Sequence, residues 1–182
     1  MVQALFLRHF ETKIDPNVPL DSWSLSETGK ADEAAFIDES GIVTLADRVF
    51  TSPEPKAAET AEEVAGLAGV ECVHLDGLRE VDRREEGFVE SNRRYVEMVE
   101  TYLSDEQFSF KWEDREDFDR RVHSALAAMA ENSEDNETVL IVTHGMWMSR
   151  TLARYVGENP LEFWHNLDFG EVVEVELSEI LN

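Results

Sequence analysis

The chain of 182 residues is the length of one ordinary globular domain, and a hydrophobic share of 42% is too high for a disordered tail. At this size roughly 70% of the unfolded chain's surface is buried on folding, so no disulfide or metal staple is needed. Forty acidic against sixteen basic residues give a formal net charge of −24, a field that argues against nucleic acid or anionic lipid as a partner.

The same charge repels itself. The fold is therefore expected to gain stability in molar salt, where the Debye length shrinks to about 3 Å. Only Lys13, Lys30, Lys56 and Lys111 stand beside the arginines. Acid-rich, lysine-poor composition is similar to that of proteins from salt-accumulating, halophilic organisms. The single cysteine, Cys72, excludes a disulfide framework and points to a reducing, cytoplasmic home; its place in an apolar strand predicts core burial rather than reactivity. With no basic-then-apolar leader and no run of about 18 apolar residues, neither a signal peptide nor a membrane span is expected.

Val2 to Leu7 is a nearly continuous apolar run that reads as a buried parallel strand, and it stops at Arg8-His9. After a loop rich in Pro and Asp, Ser24 with Glu27, or Ser26 alone, caps a helix that runs to about Ser40 and stops at Gly41. Arg48 to Thr51 is a second strand. Pro53 and Pro55 open a helix with Ala57, Ala61, Val64 and Leu67 at helical spacing. Val70 to Leu75 is a third strand. Helices follow over Ser91 to Leu103, with Tyr95, Val99 and Tyr102 on one side, and around Phe118, Val122, Ala125, Leu126 and Met129. Thr138 to Thr143 is a further buried strand, ending at His144-Gly145. A helix carrying Trp147, Leu152 and Tyr155 and a last strand over Val172 to Leu177 complete the chain. Alternating strands and helices imply an α/β layer fold around a mostly parallel sheet. Without a repeat or linker, residues 1–182 read as one domain.

Two buried strands thus end in a histidine. In open α/β sheets ligands bind at the carboxyl ends of strands, where helix starts favour anions. Two histidines and an arginine at that edge suit a phosphate or carboxylate pocket; a histidine after a strand is equally compatible with a structural role. His74 and His123 read as structural or surface residues, and His165 beside Trp164 is expected to pack near the last strand. Arg83, Arg84, Arg93 and Arg94 cluster in an otherwise acidic chain. They form either a basic rim for a phosphorylated substrate or a set of pairs with Glu85, Glu86, Glu90 and Glu97.

Leu5-Phe6-Leu7-Arg8-His9-Phe10-Glu11-Thr12 resembles the Arg-His-Gly-x-Thr signature of the histidine phosphatase superfamily, the phosphoglycerate mutase-like branch. Trp23 to Gly29 is similar to that family's helix entry. Thr51 to Ala61 is similar to its Ser-Ser-Pro-x-x-Arg-Ala-x-x-Thr-Ala segment, Leu78-Arg79-Glu80 falls where the family carries its acid, and Val142-Thr143-His144-Gly145 matches its second histidine. The resemblance spans residues 4 to 145. It implies a three-layer αβα sandwich, an antiparallel edge strand at Val172 to Leu177, and a small helical lid over about residues 87–114. Phe88, Phe108, Phe110 and Trp112 would shape or pack that lid.

The resemblance also implies a metal-independent, cofactor-free phosphomonoesterase of the histidine acid phosphatase type. His9 would be the nucleophile, with its other nitrogen held by a main-chain carbonyl. Arg8 would grip the phosphoryl group, and His144, if cationic beside the dianion, would stabilise the transition state. Glu80 would serve as general acid and base, with Asp82 as the other candidate acid. Thr12, Lys56 and Gly145 would complete substrate binding. The partner would be a small phosphorylated metabolite. A mutase-type phosphotransferase and a non-catalytic phosphate binder are the alternatives; the compact length favours a phosphatase, since mutases of the family are generally longer. Two positions depart from the pattern. Phe10 replaces the signature glycine, so its ring must either point away or wall the pocket. Lys56 replaces an arginine, keeping the charge but losing the fork of donors.

Overall fold

The computed structural model describes residues 1–181. Its five strands are β1 (Gln3–Arg8), β2 (Arg48–Thr51), β3 (Cys72–His74), β4 (Thr138–Thr143) and β5 (Val172–Glu176). They form one sheet in the order β3-β2-β4-β1-β5. Every neighbouring pair is parallel except β1 with β5, which is antiparallel as the resemblance implies.

Because strand side chains alternate, the sheet serves two cores. Ala4, Phe6, Val139 and Ile141 face one side, where they meet Met98, Phe118, Leu126, Met129 and Trp147. Leu5, Leu7, Leu140 and Val142 face the other, against Ala57, Ala61 and Val64. The near-continuous apolar runs of β1 and β4 are thus explained by helices on both faces. The first layer holds α4 (Asn92–Leu103), α5 (Arg115–Glu131), α6 (Gly145–Leu152), α7 (Pro160–Asn166) and α8 (Leu177–Leu181). The second holds α1 (Glu27–Ser40), α2 (Ile42–Leu45) and α3 (Pro55–Ala68). The result is a three-layer αβα sandwich. Among the described residues no helix is long and apolar enough to cross a membrane.

Local chemistry sets the boundaries. Ser26, not Ser24, caps α1 by accepting the Gly29 N–H at 2.9 Å, and Gly41 ends that helix in the left-handed region with φ 71°. Pro55 opens α3, Ser91 caps α4 and Asp114 caps α5. The five apolar positions foreseen for α5 are all buried. Helices α2, α7 and α8 are too short for an apolar period to announce them.

Three packing expectations need correction. Leu67 is 57% exposed, one residue from the end of α3 and outside the set of residues which that helix buries. Cys72 is only half-buried on edge strand β3, although partial burial pushes its thiol up to about 11. His165 lies on α7 and faces Glu100 of α4 at 3.5 Å rather than the last strand. His74 and His123 are exposed.

Candidate active site

Strands β1 and β4 are parallel neighbours whose register pairs Arg8 with Thr143. The next residue on each is a histidine, so His9 and His144 leave the sheet side by side, with ring centroids 5.1 Å apart. The ladder continues one step further: the His9 N–H donates to the Thr143 carbonyl at 3.0 Å, and the Ser52 N–H to Val142 at 3.1 Å. Three strand ends therefore converge on one spot at the carboxyl edge, where open α/β sheets bind their ligands.

His9 is buried, and its Nδ1 lies 2.7 Å from the Phe10 carbonyl oxygen. A carbonyl only accepts, so Nδ1 carries the proton and Nε2 keeps its lone pair. Burial, helped by His144 and Lys56, holds the ring's pKa well below the ordinary histidine value.

His144 is fully buried, with Nε2 at 2.8 Å from Ser52 Oγ. That oxygen already accepts the Glu54 N–H at 3.2 Å. A hydroxyl that accepts from Glu54 still has its own proton to give, and giving it to Nε2 places the neutral ring's proton on Nδ1. Burial first, then the charges of Lys56 and the nearby arginines, keeps the pKa of His144 well below normal. Glu54 Oε1, 3.8 Å from Nε2, is too distant to offset this with a hydrogen bond. Burial thus favours the neutral ring in the ligand-free protein, whereas the cation that the resemblance implies belongs to a site holding a phosphoryl dianion.

Arg8 rests its guanidinium on the Phe169 ring, 4.2 Å from the centroid, and Nη1 donates to the Leu167 carbonyl. Its Nε is buried without a partner, as is His144 Nδ1. Two orphan donors at one strand edge each carry a desolvation cost of about 1–3 kcal/mol that an anionic oxygen would relieve. Gly145, the first residue of α6, makes room for this arrangement, since a Cβ there would lie 3.2 Å from Arg8 Nε.

Glu80 is anchored by the main chain. Its Oε1 accepts the N–H groups of Val81 and Trp147, both at 3.0 Å, and Oε2 accepts that of Met146 at 3.1 Å. The carboxylate is therefore fixed at the start of α6, with Oε2 bearing the lighter load. Asp82 does not compete for this place. It is clasped by Arg84 through three side-chain bonds, which lower its pKa.

Lys56 enters the site with a partner that the motifs did not foresee. Its Nζ contacts Glu54 Oε2 at 2.5 Å and donates to the Leu20 carbonyl at 3.1 Å, with both side chains buried. Glu54 Oε1 in turn accepts the Glu80 N–H at 2.9 Å. The lysine thus keeps one of its three donors for a ligand, and its charge is balanced. Glu54 precedes Pro55 at the start of α3, and no local pattern in the sequence singles it out.

Arg8, His9, Thr12, Lys56, Glu80 and Gly145 line one cavity of about 770 Å³, and His144 lies behind them. Trp23, Phe88, Tyr95, Trp112, Trp164 and Phe169 add aromatic walls. Phe108 and Phe110 instead stack on each other beside Trp112. Phe10 takes no part in the cavity wall: it packs on Phe36 in the second core, 5.6 Å between centroids, and against Gly170. Of the four clustered arginines, Arg84 pairs with Asp82 and Arg93 with Glu97, Arg94 is exposed, and only Arg83 lines the cavity. Among the described residues no group of three or more His, Cys, Asp or Glu side chains could hold a metal ion.

The two depressed histidines make stability depend on pH. Below the ordinary value of about 6.5 the unfolded chain binds protons that the folded chain refuses. Their contribution is complete above that pH and is lost as pH falls, with a slope of up to about 1.4 kcal/mol per pH unit for each ring. Denaturant unfolding between pH 7 and 5 should show a shallower loss of stability in His144→Gln than in the wild type. Parallel curves would mean that His144 is not held neutral.

The profile of the histidine phosphatase superfamily (branch 1) matches residues 5–179. A search by sequence against curated proteins found no significant match. Solved structures with the same fold include mycobacterial glucosyl-3-phosphoglycerate phosphatase, at 16% identity and TM-score 0.73 over 94% of this chain and 88% of that one. YhfR of Bacillus stearothermophilus matches at 22% identity and TM-score 0.74, over 97% and 91% of the two chains. Phosphoglycerate mutase from Bacillus anthracis matches at 18% identity and TM-score 0.70, over 95% and 86%. With the profile spanning nearly its whole length, the chain belongs to the histidine phosphatase superfamily, branch 1.

Proposed function

We propose that the protein hydrolyses small phosphorylated metabolites through a phosphohistidine formed on His9 Nε2. What carries this reading is the Nδ1 bond to the Phe10 carbonyl, which leaves Nε2 unprotonated in a cavity bearing orphan donors on Arg8 and His144. In the first step the Nε2 lone pair attacks phosphorus, the P–O ester bond breaks, and the leaving oxygen takes a proton from Glu80 Oε2. In the second, water attacks phosphorus as Glu80 accepts its proton, the P–N bond breaks, and inorganic phosphate departs. Arg8 Nε and His144 Nδ1–H would hold the equatorial oxygens, which gain charge as the transition state forms. The remaining Lys56 donor and Thr12 would complete the cradle, with the segment 87–114 as a lid and the aromatic walls receiving the leaving group.

Because His9 is neutral well below the ordinary histidine range, its nucleophile should persist into acidic solution, in keeping with an acid phosphatase type. A mutase-type phosphotransferase would share the first step and return the phosphoryl group to an acceptor instead of water. The test is to mix the protein with a phosphomonoester in the presence of EDTA, quench in alkali, and map phosphate by peptide mass spectrometry. Phosphate on the peptide containing His9, with inorganic phosphate released, is the expected result. An unmodified His9 during turnover would overturn the mechanism, and isomerised substrate without free phosphate would replace hydrolysis by mutase chemistry.

A further inference from the structure

The acidic excess of the chain leaves few bases unclaimed. Arg48, Arg79, Arg84, Arg93, Arg115, Arg120, Arg121 and Arg150 each meet a carboxylate within 4.0 Å. Among the described residues, Arg8, Arg83, Arg94 and Arg154 have no such partner, and Arg94 and Arg154 lie exposed on the surface. The other two line the cavity. Arg8 is accounted for by the phosphoryl group. Arg83 is not.

Arg83 is half-buried, held over the Tyr95 ring at 4.9 Å and near Trp112 at 5.9 Å. The two carboxylates closest to it electrostatically are already occupied: Glu80 binds three main-chain N–H groups, and Glu54 binds Lys56. Burial works against its charge, and Tyr95 together with the fields of these two carboxylates outweighs that, while neither carboxylate makes an ion pair with it within 4.0 Å. The rings of Tyr95 and Trp112 fix the guanidinium plane and the Tyr95 side chain takes one of its donors, which leaves the rest of the fork for a ligand in the cavity. Arg84, one residue on, shows the alternative fate, clasped by Asp82 outside the cavity.

We propose that Arg83 forms a second anion subsite, so that the favoured substrate is a phosphomonoester whose leaving group carries its own carboxylate or phosphate. The proposal rests on the reading that Arg8, His9 and His144 hold the phosphoryl group. Cavity volume agrees with it: about 770 Å³ is far more than one phosphate occupies, leaving room for a linker between the two charges. Fork-shaped donors suit either anion, so chemistry alone does not choose between them.

The test reads binding and needs no turnover. Calorimetric titration would compare ω-phosphonocarboxylates of two to four carbons with alkylphosphonates of equal length, and with α,ω-bisphosphonates. The wild type should bind the best-fitting phosphonocarboxylate or bisphosphonate about tenfold or more tightly than the matching alkylphosphonate. In Arg83→Gln that ratio should collapse to within about threefold, and Arg83→Lys should restore part of it. The stronger of the two dianion series identifies the second group. No preference in the wild type, or an unchanged ratio in Arg83→Gln, would overturn the subsite. Equal losses for all ligands would place Arg83 on the phosphoryl group instead, which also overturns it. A preserved preference without phosphate on His9 would defeat the hydrolytic mechanism alone, whereas absence of any phosphonate binding would defeat both.

Discussion

Replacing His9 with alanine is expected to lower phosphomonoesterase turnover by about 10⁴-fold or more while the protein stays folded. The size follows from the role: the nucleophile is part of a unit, and removing such a member costs nearly as much as removing the whole. The fold should survive because the ring's polar bond is to the adjacent Phe10 carbonyl, while the residue's main-chain bond to Thr143 does not involve the side chain. Steady-state release of p-nitrophenol, with circular dichroism on the same samples, checks both halves. Activity within tenfold of the wild type would remove His9 from the mechanism.

The second large effect is expected for Glu80→Gln, a loss of about 10²–10⁴-fold in steady-state turnover. An amide can satisfy the N–H groups of Val81 and Trp147 through its oxygen, but its NH₂ then faces the Met146 N–H, donor against donor. It also has no proton to give and cannot take one from water. With p-nitrophenyl phosphate, whose leaving group departs without protonation, the first step should survive and the second should stall. Stopped-flow absorbance should therefore show a burst approaching one equivalent of p-nitrophenolate, followed by slow turnover. A full rate without a burst would exclude Glu80 as the base.

The site was legible where chemistry coincides with strand periodicity. Two continuous apolar runs ending in histidine marked β1 and β4, and parallel pairing in register brings His9 and His144 together. Glycine and serine punctuation located α1 and α4 within a residue or two. What could not be read was partnership across the sheet. The charge of His144 depends on burial and on which way the Ser52 hydroxyl donates, and neither is encoded in a local pattern. Glu54 was invisible for the same reason: only the folded chain shows its carboxylate wedged between Lys56 and the Glu80 main chain. That pair changes how the Lys56 departure is understood. A lone Lys56→Arg substitution would force a larger, forked cation into a space fitted to an ammonium and already neutralised by Glu54. The two positions form one unit whose changes would not be additive.

Phe10 stands where the family signature has glycine, and its ring points away from the cavity and closes on the turn that follows α7. A Cβ on Gly170 would lie 2.4 Å from Phe10 Cε1, so phenylalanine at one position demands glycine at the other. The same turn supplies the Leu167 carbonyl and the Phe169 ring that hold Arg8, and the Gly170 N–H donates back to the Arg8 carbonyl at 3.1 Å. Bulk that replaces the signature glycine therefore works as a buttress from behind. It braces the loop that aims the guanidinium, so relatives with glycine at position 10 would need another means of stiffening that turn, and a graft of this loop between relatives would have to carry both residues.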